Sequence, residues 1–388
     1  MVTENLEGAG SDEPAKSVGR GKTVAVNALI ITLSLCFSLL IGEAAYRVAS
    51  GISVLDATDW RNEGVRTKRI GERALYDPNL GWTLKDNYRS PGFNTIASGV
   101  RRNFNEAELR TGSILAVGDS FTEGFDEVND AGTWPAHLEK ILGLPVINGG
   151  VAGYATDQII LRAEQLLPIV KPKTLIIGFT EVDIGRAGLS EAGAPKPYFT
   201  VENGELNYHP PGPLDPTRQE NAPQSLLRTA LSYSVLANHL LSRLAPKFWY
   251  PNEAQVYKWV ETDPFTVTCK LLERLKKQTD QKNVRLMLFL QYGGELVLEE
   301  PDSIEDMRYL GDCARKVQIA VVDQFASLKA LTQGKPDLVA QYYTVEGNEY
   351  GHMTSKGNEQ AAQVLAKSLQ DATTPQDTAL DKLQVLPN

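Results

Sequence analysis

The 388-residue chain is poor in the residues that build ligand clusters, with three cysteines, four histidines and four methionines. Cys36, Cys269 and Cys313 are far apart and form no cluster of the kind that marks a metal site. No glycine-rich nucleotide-binding sequence rises above turn chemistry, so the reading implies no cofactor and no metal. Basic stripes are missing too. Against 48 acidic residues stand 39 basic ones, a net charge of -9, which argues against a nucleic-acid partner. Long apolar runs are also scarce. There is one, Val24 to Gly42, interrupted only by Asn27, Thr32, Ser34 and Ser38.

A run of that length suits one membrane-spanning helix. No convincing small-residue cleavage site follows it, since Gly42-Glu43-Ala44-Ala45 is a weak one, so it reads as an uncleaved signal anchor. The expected organisation is a cytoplasmic tail over 1–23, a transmembrane helix over 24–42 and a connector over 43–105 that packs on the main domain. That domain covers 106–370 with an insertion at 185–260, and a polar tail covers 371–388. Lys16, Arg20 and Lys22 before the helix favour a cytoplasmic N-terminus, although Arg47, Arg61, Arg66, Lys68 and Arg69 lie beyond it. The lipid bilayer is thus an expected partner, and the main domain is expected outside the cytoplasm. An oxidising compartment would permit Cys269 and Cys313 to pair, and two buried free thiols stay open as the alternative.

The rest of the chain, 42% hydrophobic and 22% charged overall, reads as globular. Five strands are expected at Ser113–Val117, Pro145–Asn148, Thr174–Phe179, Val284–Leu290 and Leu338–Tyr343. Helical patterns at Trp134–Leu142, Asp157–Ile169 and Ile304–Leu331 separate most of them. Strands alternating with helices predict an α/β three-layer sandwich around a five-stranded parallel sheet. Right-handed crossovers put the strand C-termini on one edge, bringing Ser120, Gly150 and the Thr180–Asp183 loop together. The 185–260 insertion is rich in proline at first, with an apolar helix pattern at Leu226–Leu244, and could shape a substrate site or be a surface excursion.

Gly118-Asp119-Ser120 follows the buried run Ile114–Val117 directly. A serine there emerges at the start of a helix, whose amides favour developing negative charge. His352 sits in a loop that leads into the final helix. Glu349, three residues earlier, is expected to hold one ring nitrogen while the other faces Ser120. His137 falls inside a helix and reads as a surface or packing residue, while His209 and His239 fall in the insertion.

Together, Gly118-Asp119-Ser120, the Asn148–Tyr154 stretch, the Phe179–Asp183 segment and Glu349–His352 resemble the SGNH/GDSL hydrolase superfamily, over about residues 110–370. The connector pieces Tyr76–Trp82 and Gly99-Val100-Arg101 resemble the region preceding this domain in bacterial membrane-anchored members, several of them linked to surface polysaccharides. The resemblance implies a flavodoxin-like fold at the bacterial inner membrane, facing the periplasm or exterior. It makes Ser120 the nucleophile, His352 the base and Glu349 its carboxylate, with the Ser120 and Gly150 N–H groups at the oxyanion. The family's Asn donor falls on Val182, which cannot donate, and one lost donor costs about 2.7–4 kcal/mol of transition-state stabilisation. Thr180 or a residue from the insertion could stand in for it. The implied activity is hydrolysis of esters, with a carbohydrate O-acetyl ester as substrate. Two alternatives stand beside it: an O-acetyltransferase fed by a membrane acyl-donor partner, and a degenerate domain that binds glycan or assembles a complex.

Overall fold

The computed structural model describes residues 18–58, 60–61, 71–104, 106, 108–125, 127–213, 226–249, 257–347 and 349–371. Most of the expected 1–23 tail, the tail beyond 371, and Arg66, Lys68 and Arg69 lie outside the described residues. The chain forms two compact units, residues 1–65 with 216–253, and residues 66–215 with 254–388. The expected insertion is therefore divided. Its first part stays with the second unit as the hairpin Tyr198–Glu202/Glu205–His209, and 216–253 joins the N-terminal segment.

The first unit is helical. Helix α1, Val18–Ala49, carries the apolar run, and 26 of its residues from Val24 are apolar enough to cross a membrane. At 1.5 Å per residue they reach about 39 Å, more than the roughly 30 Å of a hydrocarbon core. Leu33, Phe37 and Leu40 are exposed along it. Near its C-terminal end, Glu43 caps the helix Val235–Leu244, accepting from the Val235 and Leu236 amides at 2.9 and 3.0 Å. The apolar pattern at 226–244 forms two helices because Ser234 interrupts it, capping the second through the Ala237 amide.

The second unit is an α/β fold with a large mixed sheet flanked by helices. The sheet contains β1 (Arg89–Ser90), β2 (Phe93–Ile96), β3 (Val100–Arg101), β4 (Ile114–Val117), β5 (Val146–Asn148), β6 (Thr174–Phe179), β7 (Arg285–Leu290) and β8 (Ala320–Asp323), in the order β8-β7-β6-β4-β5-β3-β2-β1. The strands β4 to β8 are parallel, in the 2-1-3-4-5 order of flavodoxin-like sheets, and β1 to β3 extend one edge antiparallel. Apolar runs without alternation, such as Ile114-Leu115-Ala116-Val117, fit strands covered on both faces.

The fifth parallel strand is not at Leu338–Tyr343. That stretch forms the short helix Pro336–Val339 and a turn, with proline in the first helical turn. The strand is Ala320–Asp323, inside the region 304–331 whose apolar residues suggested one or more helices. The helix there stops at Lys316, and Gln318 turns the chain at φ 60°.

Among the flanking helices, α2 (Ser120–Glu123), α3 (Trp134–Leu142), α4 (Thr156–Val170) and α5 (Glu181–Arg186) each follow a strand on the site edge or pack behind it. The longer α6 (Pro264–Gln281) and α7 (Glu305–Lys316) are joined by a Cys269–Cys313 disulfide that closes a span of 44 residues. The expected connector is divided, with 43–65 in the first unit and 71–104 in this one. Tyr154 donates from its hydroxyl to the Trp82 carbonyl at 2.6 Å, Trp82 Nε1 to the Ala152 carbonyl at 3.0 Å, and Gln158 Nε2 to the Leu80 carbonyl at 2.8 Å.

A loop of this length constrains the unfolded chain, so replacing both cysteines by serine should lower stability by about 2–4 kcal/mol. Denaturant melts of the oxidised chain and the double-serine variant measure it, and equal midpoints would show that the bridge contributes nothing.

Candidate active site

Three strand ends meet at the site. After β4 the chain passes through Gly118, where a Cβ would collide with the Thr122 side chain and approach the Gly178 carbonyl to 2.9 Å. Only glycine lets α2 fold back over the end of β6. Asp119 caps α2, its Oδ1 accepting from the Phe121 amide at 2.9 Å, and Ser120 is the first helical residue. The Gly150 segment after β5 presses against the Thr122–Glu123 backbone. From the end of β6, Thr180 donates its hydroxyl to Asp119 Oδ2 at 3.2 Å.

His352 reaches this edge from a hairpin of β9 (Tyr343–Glu346) and β10 (Glu349–Met353), which precedes the final helix α8 (Ser355–Asp371). Its Nε2 lies 2.8 Å from Ser120 Oγ, and its Nδ1 lies 2.9 Å from Glu127 Oε1. Phe125 stacks on the imidazole at a centroid distance of 5.0 Å, and Phe121 tilts against it at 5.4 Å. The ring is therefore held on two sides and bonded at both nitrogens. With a carboxylate at Nδ1, that nitrogen carries the proton and Nε2 is left to accept from the serine.

The carboxylate expected from Glu349 comes instead from Glu127. Residues 349–353 form a strand, in which side chains alternate, so positions three apart point to opposite faces. Glu349 accordingly lies exposed opposite Glu346, away from the face that His352 uses. Glu127 reaches the ring from the loop that follows α2, seven residues after Ser120. No local periodicity marks it. Its approach depends on the turn at Gly124, φ 87°, and Phe125, φ 29°.

The oxyanion side also differs from the expectation. The Gly150 N–H donates to Asn148 Oδ1 at 3.1 Å, and the Asn148 amide donates in turn to the Glu123 carbonyl. Thr180 does not serve as a substitute, because its hydroxyl is committed to Asp119. Val182 is 47% exposed on α5. That leaves the Ser120 N–H, at the start of α2, as the expected donor in place.

Behind the serine two carboxyls are fully buried and linked by Thr180, whose amide donates to Asp183 Oδ2 at 2.8 Å. Burial pushes the Asp183 carboxyl well above its ordinary range, and the Asp119 charge adds to this, while Arg186 at 3.2 Å opposes it. Burial raises Asp119 as well, against the pull of Arg186 and the Phe121 amide. A cleft of about 660 Å³ opens on the other side of Phe125, lined by Arg73, Tyr88, Phe125, Gly153, Arg186 and Tyr257 among others, and by none of Ser120, His352 and Glu127.

The other histidines stand apart from this constellation. His137 faces Ser355, His209 stacks on Tyr198, and His239 meets Tyr46 in the first unit. Among the described residues no group of His, Cys, Asp and Glu is arranged to hold a metal ion.

No protein-family model matches the chain, and no curated protein does. Solved structures are similar to it at low identity. An acetylxylan esterase from Geobacillus stearothermophilus is 13% identical, covering 67% of this chain and 95% of its own, with a TM-score of 0.38. An acetyl xylan esterase, AlAXEase, is 11% identical over 66% of this chain and 98% of its own, TM-score 0.37. A two-domain esterase active on acetylated mannans is 14% identical over 69% of this chain and 51% of its own, TM-score 0.38. The chemistry of the site rests on its own geometry.

Because only Glu127 touches the imidazole, the two candidate carboxylates separate cleanly. In a triad, removing the carboxylate charge at unchanged geometry costs up to about 10⁴-fold in kcat. Glu127→Gln should lose at least about 10³-fold against an activated acetate ester, and Glu349→Gln should stay within about threefold. Steady-state kinetics of both variants decide the matter, and the reverse ranking would restore Glu349 as the partner.

Proposed function

We propose that the chain is a serine-dependent ester hydrolase whose triad is Ser120, His352 and Glu127. The observation that carries this reading is the single imidazole bonded to Ser120 Oγ on one side and to a carboxylate on the other. Ser120 Oγ attacks the ester carbonyl carbon as His352 Nε2 takes its proton. The tetrahedral oxyanion faces the Ser120 N–H. The carbon–oxygen bond of the leaving alcohol breaks as His352 returns the proton to it. Water then attacks the acyl-serine with His352 again as base, releasing the acid and restoring the hydroxyl. Glu127 fixes the ring and stabilises the imidazolium in both steps.

The substrate we infer is an acylated carbohydrate with a short acyl group. The adjoining cleft is lined by charged and hydroxyl groups with aromatic faces, from Glu72, Arg73, Tyr88, Ser90, Arg186 and Tyr257. Such a lining suits a hydroxyl-rich ring better than a long alkyl chain. The exposed apolar α1 and the Cys269–Cys313 bridge support a membrane-anchored protein whose second unit faces an oxidising compartment outside the cytoplasm.

One observation favours a second reading. With the Gly150 N–H and the Thr180 hydroxyl both engaged, the oxyanion site is short of donors, as expected of a domain that binds glycan without turning it over. If a sugar hydroxyl replaces water as acceptor, the same residues instead make an acetyltransferase, supplied by an acyl-donor partner at the membrane.

Hydrolysis of acetylated oligosaccharides and labelling by a serine-directed phosphonate separate these readings. The proposal expects both, with loss of at least about 10³-fold in Ser120→Ala. Acceptor-dependent product without acetate release would indicate the transferase. Equal activity after Ser120→Ala would remove the serine from the chemistry, and saturable glycan binding with no turnover would establish the binding domain.

A further inference from the structure

The loop that carries Glu127 takes its course from a residue that arrives on a different strand. Arg101 ends β3 at the antiparallel edge of the sheet and is 1% exposed. Its Nη1 donates to the carbonyls of Glu123 at 2.8 Å and Phe125 at 3.1 Å. Its Nη2 donates to the carbonyls of Val128 at 2.8 Å and Gly92 at 3.0 Å, and its Nε to Asp130 Oδ1 at 3.3 Å. The guanidinium also lies over the Phe93 ring, 4.3 Å from its centroid.

Three of the four carbonyls, at 123, 125 and 128, straddle Glu127. They come within reach of one group only because the chain turns at Gly124. A Cβ there would lie 3.1 Å from Arg101 Nη1 and 2.5 Å from Thr133 Cγ2. Asp130, which anchors Nε, is itself fixed by the Asn94 amide at 3.0 Å and the Asn94 side chain at 2.7 Å. A planar fork with five donors satisfies this set, and a lysine ammonium, with three donors on one point, does not.

We propose that Arg101 is a positioning residue for the triad: by binding the backbone on both sides of Glu127 it holds that carboxylate at His352 Nδ1. The inference rests on the hydrolase reading for its kinetic consequence, and on the geometry alone for the hydrogen bond. Arg101 touches neither Ser120 nor His352, so its effect passes through Glu127.

The test uses the full-length chain in detergent, with Arg101→Lys and the uncharged Arg101→Gln made in both the native and the Glu127→Gln backgrounds. Displacing a catalytic group by an ångström costs about 100-fold, so kcat should fall by about that factor with KM within about threefold. In the Glu127→Gln background the same substitutions should change kcat by less than about threefold, since a residue acting through Glu127 has nothing left to act on. Proton NMR supplies a readout without turnover. A downfield Nδ1–H signal of His352, absent in Glu127→Gln, should be present in the native chain and lost in both Arg101 variants. Thermal melts identify a variant that fails to fold, and the other variant then carries the comparison. Equal losses in both backgrounds, or a retained signal in a folded variant, would overturn the proposal. A native chain that shows the signal but cleaves no ester would defeat the hydrolase reading and leave the role of Arg101 to be decided by the signal.

Discussion

Everything at the site depends on how closely three neighbouring strand ends can approach one short helix. Ser120 is useful only because α2 begins immediately after β4, and α2 fits there only because Gly118 and Gly150 carry no Cβ. Add a methyl group at either position and α2 must move at Thr122 or Glu123, taking Ser120 with it. Close packing of this kind is stiff, because interiors have the density of organic crystals and few voids to absorb a shift. The serine is therefore set by the sheet. The histidine and the carboxylate, by contrast, are brought to it by a hairpin and a loop, whose placement needs separate support.

That division explains what could be read from the residues alone. Strands β4 to β7 are visible as short apolar runs bounded by turn residues, and Ser120 draws notice because a glycine follows such a run. The order of the segments also places Ser120, Gly150 and Thr180 on one edge, where Asp119 and Thr180 meet through a hydrogen bond. The fifth strand was not legible. Ala320–Asp323 is only four residues long, with its first residue exposed, and it stands between two helices whose apolar residues run through it. Periodicity cannot separate so short a strand from a helix segment.

The carboxylate shows a different limit. A Glu three residues before a His shares its side on a helix or in a turn, and the opposite side on a strand. The partner of His352 therefore hinged on the local conformation of 349–353, where the sequence gives mixed signals: Tyr350 and Met353 suit a strand, Gly351 a turn. Glu127 could not be found by spacing, since its contact with the imidazole is tertiary and is made across 225 positions. What the sequence does hold is the means of bringing it there, a glycine at 124 that can adopt φ 87° and an arginine at 101 with five donors.

The segment 71–104 is thus tied into the sheet that carries the candidate site. Its Leu80, Trp82 and Gly99 carbonyls accept from Gln158, Tyr154 and Arg162 in the second unit, so strands β1 to β3 cannot shift as a separate flap. Arg162 is buried and gives its Nη2 to the Ser98 and Gly99 carbonyls and its Nη1 to Gln165, so that Nη2 keeps its partners only while Ser98 and Gly99 stay in place. An unpaired buried guanidinium is costly, and removing its partners leaves that cost uncompensated. The same holds for Arg101 one turn of chain later. Two buried arginines therefore tie the connector in opposite senses: Arg162 holds it from the helix side of the sheet, and Arg101 projects from it to hold the loop of Glu127. The antiparallel extension of the sheet thereby links the segment 71–104 both to α4 and to the loop of Glu127.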